Sequence, residues 1–330
     1  MMLPVYFDGV VEDYWQLIEG VSVWDVGCER QVEITGPDAA AFTQYLVTRD
    51  VDAIRVGQAR YTLVCQEDGG ILNDPVLLRL GDDRFWLSLA DSDILLWAKG
   101  IAHHSRFDVS LREPDVSPLQ VQGPESLELL TKVFGETVGD LEGVPLVLAR
   151  TGWSGELGFE IFLRDAAKGE WLWDLLFSAG ADLGVKAGAP NNIRRIEAGL
   201  MSYGNDMDST TNPWEVGLDR FVDLGSNDDF IGRRALAEIA RQGPARKRIG
   251  LIISGEPILQ GPIRWWSVSS GGVDVGHVTS AVWSPGLNQN IAYCLVRAET
   301  AEEVSFRVVM PGGDRTAHRT DIPFVAPRYR

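Results

Sequence analysis

At 330 residues, with 45% hydrophobic residues and a net charge of −17, the chain is long enough to form two or three compact units with substantial cores. The carboxylate excess opposes general attraction to nucleic acid or anionic lipid. No apolar run is long enough to span a bilayer, and the opening Met1-Met2-Leu3-Pro4-Val5-Tyr6-Phe7-Asp8 has neither the basic start nor the apolar core of an export signal. Cys28, Cys65 and Cys294 are odd in number and far apart, which argues for buried reduced thiols in a cytoplasmic protein. His103, His104, His277 and His318 show no metal-ligand spacing with cysteine or carboxylate partners, so no metal is expected.

In chain order, residues 25–93 read as short alternating strands, such as Gln31-Val32-Glu33-Ile34 and Phe85-Trp86-Leu87-Ser88-Leu89, interrupted by a helix at 37–45 with Pro37 near its first turn. Further helices are expected near 91–102, 124–134, 166–179 and 191–199. Ala240-Arg241-Gln242-Gly243-Pro244-Ala245-Arg246-Lys247 mixes charge with Gly-Pro and reads as a boundary. Beyond it, residues 249–324 are strand-like with frequent Gly and Ser turns, as in a small β-barrel. The expected division is therefore 1–240 and 241–330, with an α+β first part.

The stretch from Arg150 to Ile161 concentrates the chemistry. Gly152, Gly155 and Gly158 permit positive φ and close backbone approach, and Phe159-Glu160-Ile161-Phe162-Leu163 alternates as a strand with Glu160 facing away from its neighbours. A carboxylate fixed there can accept two N–H bonds from a planar heterocycle such as a pterin. A Gly-rich hairpin with a solvated Glu160 fits the same residues. Among the eleven tryptophans, Trp153 follows a glycine in this loop and Trp283 sits in a Val282-Trp283-Ser284-Pro285 turn. An aromatic face suits a methylated onium group, held by cation–π attraction, although core packing suits each tryptophan equally.

Arg150-Thr151-Gly152-Trp153-Ser154-Gly155-Glu156-Leu157-Gly158-Phe159-Glu160 resembles the motif of the folate-dependent aminomethyltransferases typified by the glycine cleavage T-protein. Trp24-Asp25-Val26, Val32 to Ala39, Gly69-Gly70-Ile71-Leu72-Asn73-Asp74, Arg195 to Leu200, Phe230-Ile231-Gly232-Arg233 and Gly276-His277-Val278-Thr279-Ser280 follow in the family's order. Asn73-Asp74-Pro75-Val76, Ala90-Asp91-Ser92-Asp93 and Ser202-Tyr203-Gly204-Asn205-Asp206 look most like the dimethylsulfoniopropionate demethylase branch.

The resemblance implies a three-domain cloverleaf, with two interleaved α+β units around a folate channel and a C-terminal β-barrel. It implies a methyltransferase moving a methyl group from a small onium donor to N5 of tetrahydrofolate, with folate and the methylated donor as partners. Homodimer formation stays open. Asp74 is expected beside the reacting nitrogens, Glu160 on the pterin, Arg195 facing the channel and Tyr203 as a further cofactor contact. Without the resemblance, Asn73-Asp74-Pro75 reads as a turn, and Arg194 and Arg195 read as a solvated helix face paired with Glu197. Trp153 and Phe162 are expected at the donor site.

Three departures from the family pattern accompany these expectations. Family members carry an extra channel-lining segment before the position matching Leu3-Pro4, so by the resemblance the chain is expected to begin late. The segment 139–150 is short and lacks a strand. Phe162 stands where the sulfonium demethylase carries Tyr. Two other readings remain open, an aminomethyltransferase served by a lipoyl carrier protein and a folate-binding protein without catalysis.

Overall fold

A computed structural model describes residues 4–90, 93–135, 140–226, 228–326 and 328. Leu3, Asp91, Ser92 and Gly139, which belong to motifs or segments named above, lie outside the described residues. Helix α1 (Val10–Glu19) leads to β1 (Ser22–Asp25), β2 (Arg30–Thr35), α2 (Ala39–Leu46), β3 (Gln58–Tyr61), β4 (Val64–Cys65), β5 (Ile71–Asn73), β6 (Val76–Arg79), β7 (Arg84–Leu89) and α3 (Ile94–His104). Then come β8 (Ser110–Arg112), β9 (Ser117–Gln122), α4 (Ser126–Phe134), β10 (Asp140–Leu141), β11 (Val144–Ala149), β12 (Gly158–Leu163), α5 (Gly169–Ala179), β13 (Lys186–Gly188) and α6 (Asn192–Glu197). After α7 (Pro213–Val216) and α8 (Arg233–Gln242), the chain closes with β14 (Arg246–Ile253), β15 (Trp266–Ser270), β16 (Val273–Ser284), β17 (Gln289–Arg297), β18 (Ser305–Val308) and β19 (Arg315–Thr320).

Alternation along the strands sorts these elements into layers. One sheet has the order β3-β6-β7-β2-β8, and its outer apolar residues Val32, Ile34, Leu77, Phe85 and Leu87 pack under Phe42 and Leu46 of α2 and Ile94 and Ala98 of α3. The second sheet, β10-β11-β12-β9-β1-β13, buries Leu119, Val121, Ile161 and Leu163 against α4 and α5. The two units interleave because β1 pairs with β9 and β13 in the second sheet while β2, a few residues later, joins the first. Their inner faces meet where Leu78 and Trp86 pack on Ala149 and Phe162.

The last six strands form a closed barrel filled by small and β-branched residues such as Val268, Val278, Ala292 and Ala317. Closure removes free sheet edges. The barrel meets the first units through Tyr293 and Ile291, which share a core with Leu63, Ile71, Ile196 and Leu236. The Tyr293 hydroxyl donates to the Ile196 carbonyl at 2.8 Å. The structure is thus the α+β cloverleaf implied by the resemblance.

Several expectations require correction. The segment 139–150 does hold strands, β10 and β11, with Ala149 opposite Glu160 in the register of β11 and β12. Trp283 lies within β16, paired with Asn290, rather than in the turn that follows. Cys65 and Cys294 are buried as expected, whereas Cys28 is only half-buried. Helices α1 and α8 carry no sequence expectation, and residues 240–247 hold the last turn of α8 and the first residues of β14.

Candidate active site

The inner face of the second sheet carries a buried polar strip beside Ala149 and Phe162, which is unusual for a surface covered on both sides. Registers Glu160↔Gln120 and Gly158↔Gln122 place these residues on one face, opposite the apolar Ile161 and Leu163. Gln120, Gln122 and Glu160 are all buried, so their polar atoms need partners. Gln120 donates from Nε2 to Glu160 Oε1 at 2.8 Å, and the Thr151 hydroxyl donates to Glu160 Oε2 at 2.6 Å. Burial nevertheless pushes the Glu160 carboxyl up to about 7, against the opposing pull of the Thr151 bond.

The glycines of the loop have distinct reasons. Gly155 alone of the three adopts positive φ, at 74°. A Cβ on either Gly152 or Gly158 would come within 2.2 Å of the Gln122 amide. That amide accepts from Ser154 Oγ at 2.7 Å, so the loop is wrapped around one buried side chain. Gly152 and Gly158 are therefore glycines for close approach, and Gly155 for conformation.

Asp74 follows β5 and precedes β6. Tyr61, on β3, donates its hydroxyl to Asp74 Oδ2 at 2.8 Å, while the Asp74 N–H caps Asn73 Oδ1 at 2.9 Å. Part of Asp74 stays open to solvent, yet protein surrounds the carboxyl closely. Burial first, with Asp206 adding repulsion, lifts it from 3.8 to about 7, although the Tyr61 bond pulls downward. A carboxyl with that affinity can hold or accept a proton near neutral pH.

Arg195 is not a solvated helix residue. It is 2% exposed and its guanidinium is paired with Asp206, donates to Ser280 Oγ at 2.8 Å and to Asn192 Oδ1 at 3.2 Å. Arg194 is buried too, bonded to Glu156 at 2.8 Å and to Glu197 at 3.2 Å. Glu197 also accepts from Tyr14 of α1 at 3.0 Å and from Ser284 of β16 at 2.5 Å. These two arginines tie α6 to the glycine loop, to the 202–206 turn and to the barrel.

Trp153 donates its indole N–H to the Met201 carbonyl at 2.8 Å, and the Arg195 guanidinium lies 5.3 Å from its ring centroid. Tyr203 is half-buried in the neighbouring turn, bridged to Met207. Its hydroxyl is held above its ordinary pKa by burial, then by Asp208 and Asp74. Asp74, Tyr203, Asp206, Arg195 and Trp153 therefore form one electrostatically connected group. Phe162 lies elsewhere on the same sheet face as Glu160, fully buried, with its ring edge-on to Trp86 at 6.0 Å.

A cavity of about 790 Å³ opens between the two sheets, lined by Arg60, Leu78, Ala149, Thr151, Gly152 and Glu156 among others. That volume suits a cofactor-sized molecule. Glu156 is buried, and its Oε2 has no hydrogen-bond partner among the described residues. Tyr61, Glu156 and Gln120 were not anticipated from sequence. Glu156 lay inside the motif, four residues before Glu160, but Tyr61 and Gln120 are brought in by strand pairing alone.

Comparison with known proteins agrees with this architecture. Residues 1–226 match the GCVT N-terminal domain and residues 246–325 match the glycine cleavage T-protein C-terminal barrel domain. The chain is 46% identical over 327 residues to dimethylsulfoniopropionate demethylase DmdA of Ruegeria pomeroyi, covering 96% of this chain and 88% of that protein. It is 33% identical to an aminomethyltransferase of Clostridium botulinum, covering 90% and 84%. The crystal structure of glycine cleavage system aminomethyltransferase T from Bartonella henselae superposes with a TM-score of 0.88 at 26% identity, over 99% of this chain and 92% of that one. By domain content, sequence and fold, the chain belongs to the glycine cleavage T-protein family.

Proposed function

We propose that the protein is a tetrahydrofolate-dependent methyltransferase that demethylates a small onium compound of the dimethylsulfoniopropionate type. The observation that carries this reading is Asp74, a carboxyl lifted to about 7 and oriented by Tyr61 within a family of one-carbon transferases. The 46% identity to the demethylase favours a methyl donor over an aminomethyl donor.

The residues fit a reduced folate. Glu160 offers a buried acceptor for the ring N–H and amino groups, Glu156 leaves a buried oxygen without a partner among the described residues, and Gly152 and Gly158 allow a flat ligand to approach the backbone. In this reading residues 1–240 form the folate module and residues 241–330 the barrel that closes it. The working compartment is the cytoplasm. No helix among the described residues is long and apolar enough to cross a membrane.

The reaction is an in-line displacement. The methyl carbon–sulfur bond breaks with its electron pair going to sulfur, the methyl carbon bonds to folate N5, and N5 gives up a proton. Asp74 receives or relays that proton, and Tyr61 steadies the carboxylate that does so. Trp153 faces the cationic donor, with Tyr203 closing the acceptor side, while Phe162, fully buried against Trp86, packs between the sheets instead of at the donor. Arg195 holds Asp206 and Trp153 in position. Alignment and exclusion of water supply the rest.

The test is purified protein with tetrahydrofolate and a panel of methylated sulfonium, ammonium and aryl ether donors, with methylfolate followed by mass spectrometry. Methylfolate formed from an onium donor supports the reading. Methylenefolate formed only with an aminomethyl-lipoyl carrier points to the aminomethyltransferase, and folate binding without turnover of any donor points to a binding protein.

A further inference from the structure

A second carboxylate, outside the glycine-loop motif, lies beside Glu160. Glu29 sits in the turn between β1 and β2, where its N–H donates to the Val26 carbonyl at 2.7 Å. Pairing of Trp24 with Gln120 brings this turn over β9. Gln120 Nε2 then donates at 2.8 Å to Glu29 Oε1 and at 2.8 Å to Glu160 Oε1. One amide nitrogen thus bridges both acids, holding the accepting oxygens within about 6 Å of each other, twice a hydrogen-bond length.

The protein does not satisfy this pair. An ionised carboxylate has room for about four hydrogen bonds. Among the described residues, Glu160 receives two and Glu29 one. Guanidiniums on the surrounding elements are engaged elsewhere, Arg30 with Glu113, Arg84 and Arg112 with Glu33, Arg194 with Glu156 and Glu197, and Arg195 with Asp206. The bridging side chain is neutral, and so is Thr151. Two close carboxylates, Glu160 buried and Glu29 half-buried, with no paired cation among the described residues, resist joint ionisation. Burial and then the charge of Glu160 accordingly raise the Glu29 carboxyl well above its ordinary range.

We infer that Glu29 is a second anchor for the pteridine of tetrahydrofolate, acting with Glu160 as a Gln120-bridged carboxylate pair that grips the ring's adjacent N–H and amino donors. This rests on the folate reading above. Joint ionisation of the empty pair is disfavoured, so donation of the ring's N–H groups to it is coupled to proton release. A methylated onium group has no N–H to offer, so the pair selects for the donor-rich heterocycle and assigns it to this end of the site, leaving the donor to the Trp153 end.

The experiment combines two measurements on the full chain and on Glu29→Gln and Glu160→Gln. Infrared spectra of the ligand-free proteins near pH 7 should show a protonated buried carboxyl in the wild type that is lost or shifted in each variant. Calorimetry in two buffers of different ionisation enthalpy then follows binding of tetrahydrofolate and of an analogue lacking the 2-amino group. Glu29→Gln should weaken tetrahydrofolate roughly tenfold, affect the analogue much less and reduce proton release. If the Gln variant does not fold, Glu29→Asp, which withdraws the carboxylate by one methylene, should give the same selective loss. Wild-type affinity and proton release in a folded Glu29 variant overturn the role of Glu29 alone. A wild-type chain that fails to bind tetrahydrofolate overturns the folate reading together with this one.

Discussion

The Tyr61 hydroxyl donates to Asp74 Oδ2 at 2.8 Å, and the two residues reach each other only because β3 and β6 pair, with Tyr61 opposite Val76. The bond steadies the ionised form of a carboxyl that burial otherwise pushes toward neutrality. Tyr61 is in turn braced edge-on by Phe221 at 4.7 Å. Tyr61→Phe keeps this packing and removes only the donor. Asp74 should then titrate above its present value of about 7, so turnover at pH 7 should drop roughly three- to tenfold and recover at higher pH. A pH–rate profile identical to that of the wild type removes Tyr61 from the mechanism.

Asp74→Asn tests the acid itself. If Asp74 handles the N5 proton, turnover should fall about 10²–10⁴-fold while folate affinity changes little. Equal losses in both would make it an anchor. Stability should move the other way. The fold raises this carboxyl from 3.8 to about 7, so the folded protein keeps a proton that the unfolded chain has released between those values. The associated stability is full below 3.8 and is lost as pH rises through 7. At pH 8 the neutral variant should therefore be more stable by about 0.5–2 kcal/mol, read from thermal unfolding at pH 5 and pH 8.

Arg195 separates a positioning role from a direct ligand role. Lys cannot reproduce a planar fork that spans Asp206, Ser280 and Asn192. Arg195→Lys should destabilise the folate-free protein by about 2–4 kcal/mol, because Asp206 is left buried with a poorer partner. Unaltered thermal stability with a selective loss of folate affinity would instead make Arg195 a cofactor contact.

Legibility from sequence tracked the distance over which each relationship acts. Thr151, Trp153 and Glu160 share one loop-to-strand segment, so their grouping was visible as a motif, and alternation alone placed Glu160 opposite Phe159 and Ile161. For Arg195 a six-residue helix leaves both a solvated and a channel-facing reading open, and its partners Asp206 and Ser280, the latter 85 residues on in the barrel, are what bury it. Gln120 and Tyr61 carry no local mark, since register between distant strands supplies their partners. The strands at 140–149 were missed because Gly143 and Pro145 interrupt the pattern. Pro145 is tolerated since it is exposed and pairs with Asp140 in the two-residue edge strand β10, where a missing N–H costs little.

Trp153 gives the sharpest test of where the methyl donor sits. Arg195 already lies 5.3 Å from the centroid of its ring, so a donor cation has to use the ring's other face and stay clear of the guanidinium charge. Trp153→Leu keeps apolar bulk while removing both the π surface and the N–H that holds the Met201 carbonyl. A cationic sulfonium should lose about 0.5–2 kcal/mol of binding, and an uncharged methyl ether of similar shape should lose less, because only the cation gains from the ring quadrupole. Donor affinities for both compounds are measured in wild type and variant with folate present. Equal weakening of the two assigns Trp153 to loop packing against Met201 and Arg195, and a selective loss for the cation places the onium against the indole.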